Sequence, residues 1–164
     1  MGGAEPPRAP EHEVKAAFLV HLPDFVQWPA AALPDSATAL TIGILGDDPF
    51  GHVLTELAAR TRQGRRLEIR RSARLQELPV CHILYISRSE TRYLPQILAH
   101  LRGGSVLTVG DSEGFARAGG MVNFVRQGQK VRFEINATAA ERAQLHLSAK
   151  LLRLAILVGE EGSP

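Results

Sequence analysis

The stretch GGMVNFVRQGQKVRFEIN, Gly119 to Asn136, decides the fold of this chain. A glycine pair leads into an apolar run (Met121, Val122, Phe124, Val125), Gly128-Gln129 supplies a two-residue turn, and Val131, Phe133 and Ile135 alternate with polar residues up to Asn136. Period-two alternation on both sides of a glycine turn predicts a β-hairpin, and Asn136 is an N-cap type that opens a helix after it. No residue there has the partners that catalysis requires, so the hairpin points to a scaffold or a binding surface.

Working outward, the residues after Asn136 read as a helix through Gln144, and Ser148 caps a last helix with Leu151, Leu152, Ala155 and Ile156 on one face. At the other end, Val14, Phe18, Leu22 and Phe25 recur at helical spacing up to Trp28-Pro29, with Pro23 set to kink that helix unless the segment is two short helices. Leu40 to Gly46 is a short apolar run closed by Asp47-Asp48-Pro49, and Val53, Leu54, Leu57 and Ala58 then follow helical spacing. Arg65 to Arg71 alternates Leu67 and Ile69 with charges, as a strand near a sheet edge does. His82 to Ser87 is a buried-type strand, Ser89 caps a helix carrying Leu94, Ile97, Leu98 and Leu101, and Gly103-Gly104 ends it. Ser105 to Val109 adds a fourth strand, and Glu113 to Ala118 a short helical turn.

Strands alternating with helices predict an α/β fold: a mostly parallel sheet with helices on both faces, a late antiparallel hairpin and a C-terminal helix. At 164 residues, 45% of them apolar, the chain suits one core, and we expect a single domain over residues 11–159 between tails at 1–10 and 160–164. The net charge of +2 comes from 16 Arg and 3 Lys set against the acids, a balance that argues weakly for nucleic acid. Cys81 is the single cysteine, which excludes an internal disulfide. No apolar run reaches the roughly 18 residues of a membrane helix, and the amino terminus lacks the plan of a signal peptide. Either the protein is cytoplasmic or a leader ahead of Gly2 has been removed.

Four segments, VKAAFLVHLPDFVQWP (Val14 to Pro29), IGILGDDPFG (Ile42 to Gly51), CHILYISRSE (Cys81 to Glu90) and the hairpin with its following SAKLLRLA (Ser148 to Ala155), resemble the YfiR-like family of bacterial periplasmic regulators in order and spacing. The resemblance implies an exported α/β domain that restrains a membrane-anchored signalling partner by binding its periplasmic part. In the best-known arrangement that partner is a diguanylate cyclase, so the regulator lowers cyclic-di-GMP and biofilm formation. Pro23 departs from the family's continuous first helix, and with one cysteine a disulfide-gated mechanism does not carry over.

In a parallel sheet the loops at the strand carboxyl ends surround the default ligand crevice, which groups Asp47, Asp48, Phe50, Ser87, Arg88, Ser89, Asp111 and Ser112. A small polar ligand or a peptide fits that composition, and ordinary capping and turn formation explains it too. Asp47 and Asp48 sit where a receiver domain holds its metal-binding acids, yet the phosphoacceptor Asp and the later Lys are missing, and GDDPFG is no phosphate loop. Arg60, Arg62, Arg65, Arg66, Arg70, Arg71 and Arg74 crowd one region, a pattern that suits an acidic protein face, lipid headgroups or, less well for want of base-stacking aromatics, nucleic acid, and equally a charge-guarded edge. Cys81 and His82 point to opposite faces of a strand, so a reactive pair is not expected, and the histidines show no metal spacing. On the hairpin, Asn123, Arg126, Arg132 and Glu134 form the candidate partner-binding set, with Arg132, Glu134 and Asn136 projecting together. The expectation is a non-enzymatic regulator without cofactor or metal, acting on a membrane signalling protein and tuned by a small ligand or by self-association. The rival is an enzyme with Asp47, Asp48 and Asp111 around a metal.

Overall fold

The computed structural model describes residues 10–34, 38–60 and 65–159; Arg62 and all but one residue of the two expected tails lie outside them. Helix α1 (Glu11–His21) is followed by a 3₁₀ turn (Leu22–Phe25) and a two-residue strand β1 (Val26–Gln27). Then come β2 (Leu40–Leu45), α2 (His52–Arg60), β3 (Leu67–Ser72), β4 (Ile83–Ile86), α3 (Leu94–Leu101) and β5 (Leu107–Gly110). The hairpin β6 (Val122–Gln127) and β7 (Lys130–Ile135) leads to α4 (Ala137–Arg142), β8 (His146–Leu147), α5 (Ala149–Leu154) and β9 (Ile156–Leu157).

All six residues of β2 are buried, as are all four of β4 and of β5, because each strand has a parallel neighbour on both edges and cover on both faces. The sheet order is β3-β2-β4-β5-β6-β7-β9, and only the β6–β7 pair is antiparallel. The chain therefore leaves β2 in one direction to reach β3 and leaves β4 in the other to reach β5. At such a reversal the two following loops diverge and open a crevice between them.

Alternation along the strands divides the core. Ile42, Ile44, Ile83, Tyr85, Leu107, Val109, Val122, Phe124 and Ile135 face α1, α2, α4 and α5, while Leu45, Leu84 and Ile86 face α3 and Phe115 on the other side. Phe115 is packed against the backbone of Gly110 and Gly120, where a Cβ would strike its ring. That close approach, rather than backbone freedom, is why both positions are glycine.

The hairpin forms where the sequence places it, with Val122 opposite Ile135 and Gln127 opposite Lys130. Gly128 carries φ of 63°, the positive value that the first central residue of such a turn requires. Asn136 caps α4 by accepting from the Ala139 N–H at 3.1 Å, and Ser148 caps α5 by accepting from the Leu151 N–H at 3.1 Å. β3 lies at the sheet edge with Arg70 and Arg71 exposed, as its charge pattern predicts.

Four expectations need correction. The first helix stops at His21 and Pro23 begins the 3₁₀ turn, so the proline divides the segment instead of bending one helix. Its buried side is Lys15, Ala16, Leu19 and Val20; Val14 is 40% exposed, and Phe18 sits at the border against Phe124 and Phe133. Ser89 does not cap a helix, because Arg88–Tyr93 is 3₁₀ and the α-helix starts only at Leu94, with Pro95 in its first turn where no N–H is needed. The C-terminal helix ends at Leu154: Ala155 is extended, and Ile156–Leu157 pairs with β7, the Val158 N–H reaching the Ile135 carbonyl at 2.9 Å.

Candidate functional site

The crevice at the β2 and β4 carboxyl ends is built by close approach of two loops. Gly46, with φ of 92°, follows β2, and a Cβ there would come within 2.5 Å of both the Ser87 and the Ser89 hydroxyl. Those hydroxyls lie 2.8 Å apart, and Ser89 Oγ accepts from the Asp47 N–H at 3.0 Å. Asp48 Oδ1 accepts from the Phe50 N–H at 2.9 Å, closing an Asx turn, while its Oδ2 accepts from Arg71 Nε at 2.6 Å. The turn drives the Phe50 ring into the core, edge-on to Tyr85 at 4.9 Å between centroids.

Asp111, just past β5, is the centre of the charged groups. Its Oδ2 accepts from Lys15 Nζ at 2.6 Å and from the Tyr85 hydroxyl at 3.4 Å, and its Oδ1 from Arg88 Nη2 at 3.0 Å. Arg88 Nε also donates to the Asp111 carbonyl at 2.7 Å. Lys15 reaches back one turn of α1 to Glu11 Oε2 at 2.9 Å, and Glu11 Oε1 lies 3.5 Å from Arg126 Nε on the hairpin. Five alternating charges thus run from β6 across α1 to the loop after β4: Arg126, Glu11, Lys15, Asp111, Arg88. Burial, and then the Asp111 charge beside it, push the Tyr85 phenol well above its ordinary value, so it stays protonated and serves as a donor. The hydrogen bond and charge of Asp111 raise Arg88 further.

Two adjoining clefts open on this line of charges. One, of about 310 Å³, is lined by seven of the eight carboxyl-end residues expected from the sequence, Asp47, Asp48, Phe50, Ser87, Arg88, Ser89 and Asp111. The other, of about 350 Å³, takes in Ser112, Phe124 and Arg126, and the two share Glu11, Lys15, Arg88 and Asp111. The sequence reading missed Glu11, His12 and Lys15 from α1, and Tyr85 from β4. Lys15 had a signal: it follows Glu11 by four residues and interrupts a run of apolar positions, where a lysine must find an acid.

The hairpin residues are not one surface. Arg126 lies on the face of α1 and Arg132 on the opposite face, where its Nη1 donates to Gln127 Oε1 at 2.9 Å. Asn123 is fully buried, and its amide bonds the Ser112 backbone and Glu134 Oε1. It pins the loop after β5 to the hairpin and offers nothing to a partner. Arg132 and Glu134 do share a face, as expected, and Asn136 on that side is buried, its Nδ2 donating to the Ala116 carbonyl at 2.9 Å.

Of the three acids of the rival enzyme, which line one cleft, Asp111 is paired with Lys15 and Arg88 and Asp48 with Arg71. Among the described residues no group of three or more His, Cys, Asp or Glu side chains is placed to hold a metal ion. The arginine-rich region is partly tied down as well: Arg66 and Arg70 pair with Glu68, and Arg65 donates to the Thr38 carbonyl. Cys81 is buried, its thiol 3.2 Å from the Pro79 carbonyl. His82, on the other face, accepts from the Thr41 N–H at its Nδ1 and faces the Ala32 carbonyl with its Nε2. It joins the sheet to the preceding loop.

A sheet with its strand order reversed at β2 and a polar crevice at its carboxyl ends define an α/β domain. The YfiR/HmsC-like family model matches residues 12–156, and the chain belongs to that family. It is a family of periplasmic regulators of signalling, as the resemblance implied. No curated protein matches this chain. No helix among the described residues is long and apolar enough to cross a membrane.

Proposed function

We propose that this chain is a non-enzymatic periplasmic regulator that binds the extracytoplasmic part of a membrane-anchored signalling protein, a diguanylate cyclase or a relative of one, and lowers its output. Residues 11–159 act as one domain, and a small polar ligand in the carboxyl-end crevice tunes the contact. The observation that carries this reading, besides family membership, is the line of charges from Arg126 to Arg88. It joins the ligand crevice to the hairpin, so a group that engages Arg88 or Asp111 acts on the same network that orients Arg126. Glu11, Asp48 and Asp111 are each paired with an internal base, which suits recognition at the crevice.

Co-purification tests the reading. The tagged protein should retain the membrane protein encoded beside it, and adding it to that partner in detergent should reduce the partner's turnover. If the neighbour is neither a membrane nor a signalling protein and nothing is retained, the role is wrong.

A further inference from the structure

The opposite end of the sheet holds a feature that the regulator reading does not use. A cavity of about 510 Å³ opens at the amino ends of β5 and β6, between α3 and α4. Leu98, Leu101, Val106 and Met121 form its apolar wall. A second apolar cavity, of about 250 Å³, continues from it past Leu101 and Val106 to Leu75, Leu78 and Val80. Val80 is 88% exposed, an unusual state for a large aliphatic side chain at the mouth of an apolar channel. The two share Leu101, Arg102, Gly104 and Val106 and so form one continuous trough.

Its charge is one-sided. Arg102, Arg117 and Arg142 line the trough, and no Asp or Glu lines either cavity. Arg102 and Arg117 are exposed, and neither guanidinium has an acidic partner among the described residues. Arg117 belongs to the first cavity only and Leu75, Leu78 and Val80 to the second only, while Arg102 lines both. On the floor, Thr108 is buried and its hydroxyl accepts from the Met121 N–H at 3.0 Å, which leaves the hydroxyl proton to donate.

We propose that this trough binds an anionic amphiphile, an acyl chain whose carboxylate or phosphate head meets Arg117 while the tail lies over Leu101 and Val106 toward Val80. The volume suits a small molecule, and a guanidinium recognises either head group. A compact polar ligand would leave the aliphatic lining of the trough wet, and a cationic one would face Arg102 and Arg117.

The test uses the whole purified chain with dodecanoate or dodecyl phosphate below their micelle concentrations, read by calorimetry and thermal shift. Dodecyltrimethylammonium and butyrate serve as controls for the head and the tail. Either anionic chain should bind saturably and raise the melting temperature, and the tighter of the two identifies the head group. Arg117→Glu should weaken binding about tenfold or more, the effect of losing a charge-assisted contact. Gly104→Trp fills the trough from a position that lines both cavities. A Cβ at Gly104 meets only the Leu101 carbonyl at 3.4 Å and Val106 at 4.0 Å, so this variant should fold normally and lose binding. Equal response to the cationic chain, absence of saturable binding, or binding untouched by both variants would overturn the proposal. None of these results bears on the partner pull-down, so the two readings stand or fall separately.

Discussion

Replacing Lys15 by Met probes the centre of the charged line most directly. The Lys15 side chain is 8% exposed and that of Asp111 13%, with 2.6 Å between Nζ and Oδ2. At an effective dielectric constant of about 20 two charges some 4 Å apart attract by roughly 4 kcal/mol, most of which offsets the cost of taking them out of water. Removing one partner of a buried pair typically costs about 3–5 kcal/mol because the other is left uncompensated. Here Asp111 keeps Arg88 and the Tyr85 hydroxyl, so the expected loss for Lys15→Met is about 2–3 kcal/mol, or a melting temperature lower by roughly 5–10 °C. Met fills the aliphatic part of the site, so the loss reports charge rather than volume. Combining it with Asp111→Asn in a double-mutant cycle by urea unfolding should return a coupling of about 1.5–3 kcal/mol. A coupling under about 0.5 kcal/mol, the value of an exposed pair, would refute the placement of Lys15 inside the network.

Four other outcomes follow from particular contacts. Gly120→Ala should cost about 2–3 kcal/mol through collision with the Phe115 ring, and Phe115→Leu in the same chain should recover part of it; strictly additive urea midpoints would show that the ring is not held there. Asn136→Ala should cost about 2–3 kcal/mol, since it removes a helix cap and leaves the buried Ala116 carbonyl without its donor; a loss near zero in chemical denaturation would contradict both contacts. Burial pushes the Cys81 thiol from 9.0 up to about 11, the nearby Arg70 opposing it. Its contribution is therefore complete below pH 9 and is lost as the pH rises toward 11, by about 2–3 kcal/mol, because the unfolded chain gives up the proton first. Cys81→Ala should flatten that alkaline slope, and Tyr85, raised in the same sense, accounts for what remains. Finally, Arg126→Glu and Arg132→Glu should differ in a pull-down, as they stand on opposite faces of the hairpin; each should shift the melting temperature by little, and equal effects on the complex would point to unfolding of the hairpin.

Much of the fold was legible because its signals are local. Gly128 and the alternation around it fix the hairpin, and the apolar runs of β2 and β4 fix the centre of the sheet. The crevice was legible from topology alone, since loops after parallel strands must lie at one end of the sheet, and Asp47, Ser87 and Asp111 come together there despite their distance in sequence. What failed was two-residue structure. β1, β8 and β9 are too short to carry any periodicity, and Leu151, Leu152, Ala155 and Ile156 satisfy helical spacing whether or not the last turn forms. The open outer edge of β7 decides that case, because its backbone groups gain a partner only if the chain after Leu154 extends. Arg126 and Arg132 were read as one surface because both are hairpin arginines, but their register places them across the sheet from each other.

The line of charges has a fixed middle and exchangeable ends, and this asymmetry is what a binding role needs. Arg88 and Arg126 are 73% and 70% exposed in their side chains, so each terminal pair with an acid contributes at most about 1 kcal/mol. Lys15 and Asp111 between them are buried and hold their geometry whether the ends are engaged or not. A ligand carboxylate or an acidic partner side chain can therefore recruit either arginine at small cost. Glu11 bridges the centre to the hairpin, its Oε2 on Lys15 and its Oε1 beside Arg126. The buried centre leaves no side-chain nitrogen or oxygen without a partner, so a newcomer gains its contacts at the exposed arginines of the rim.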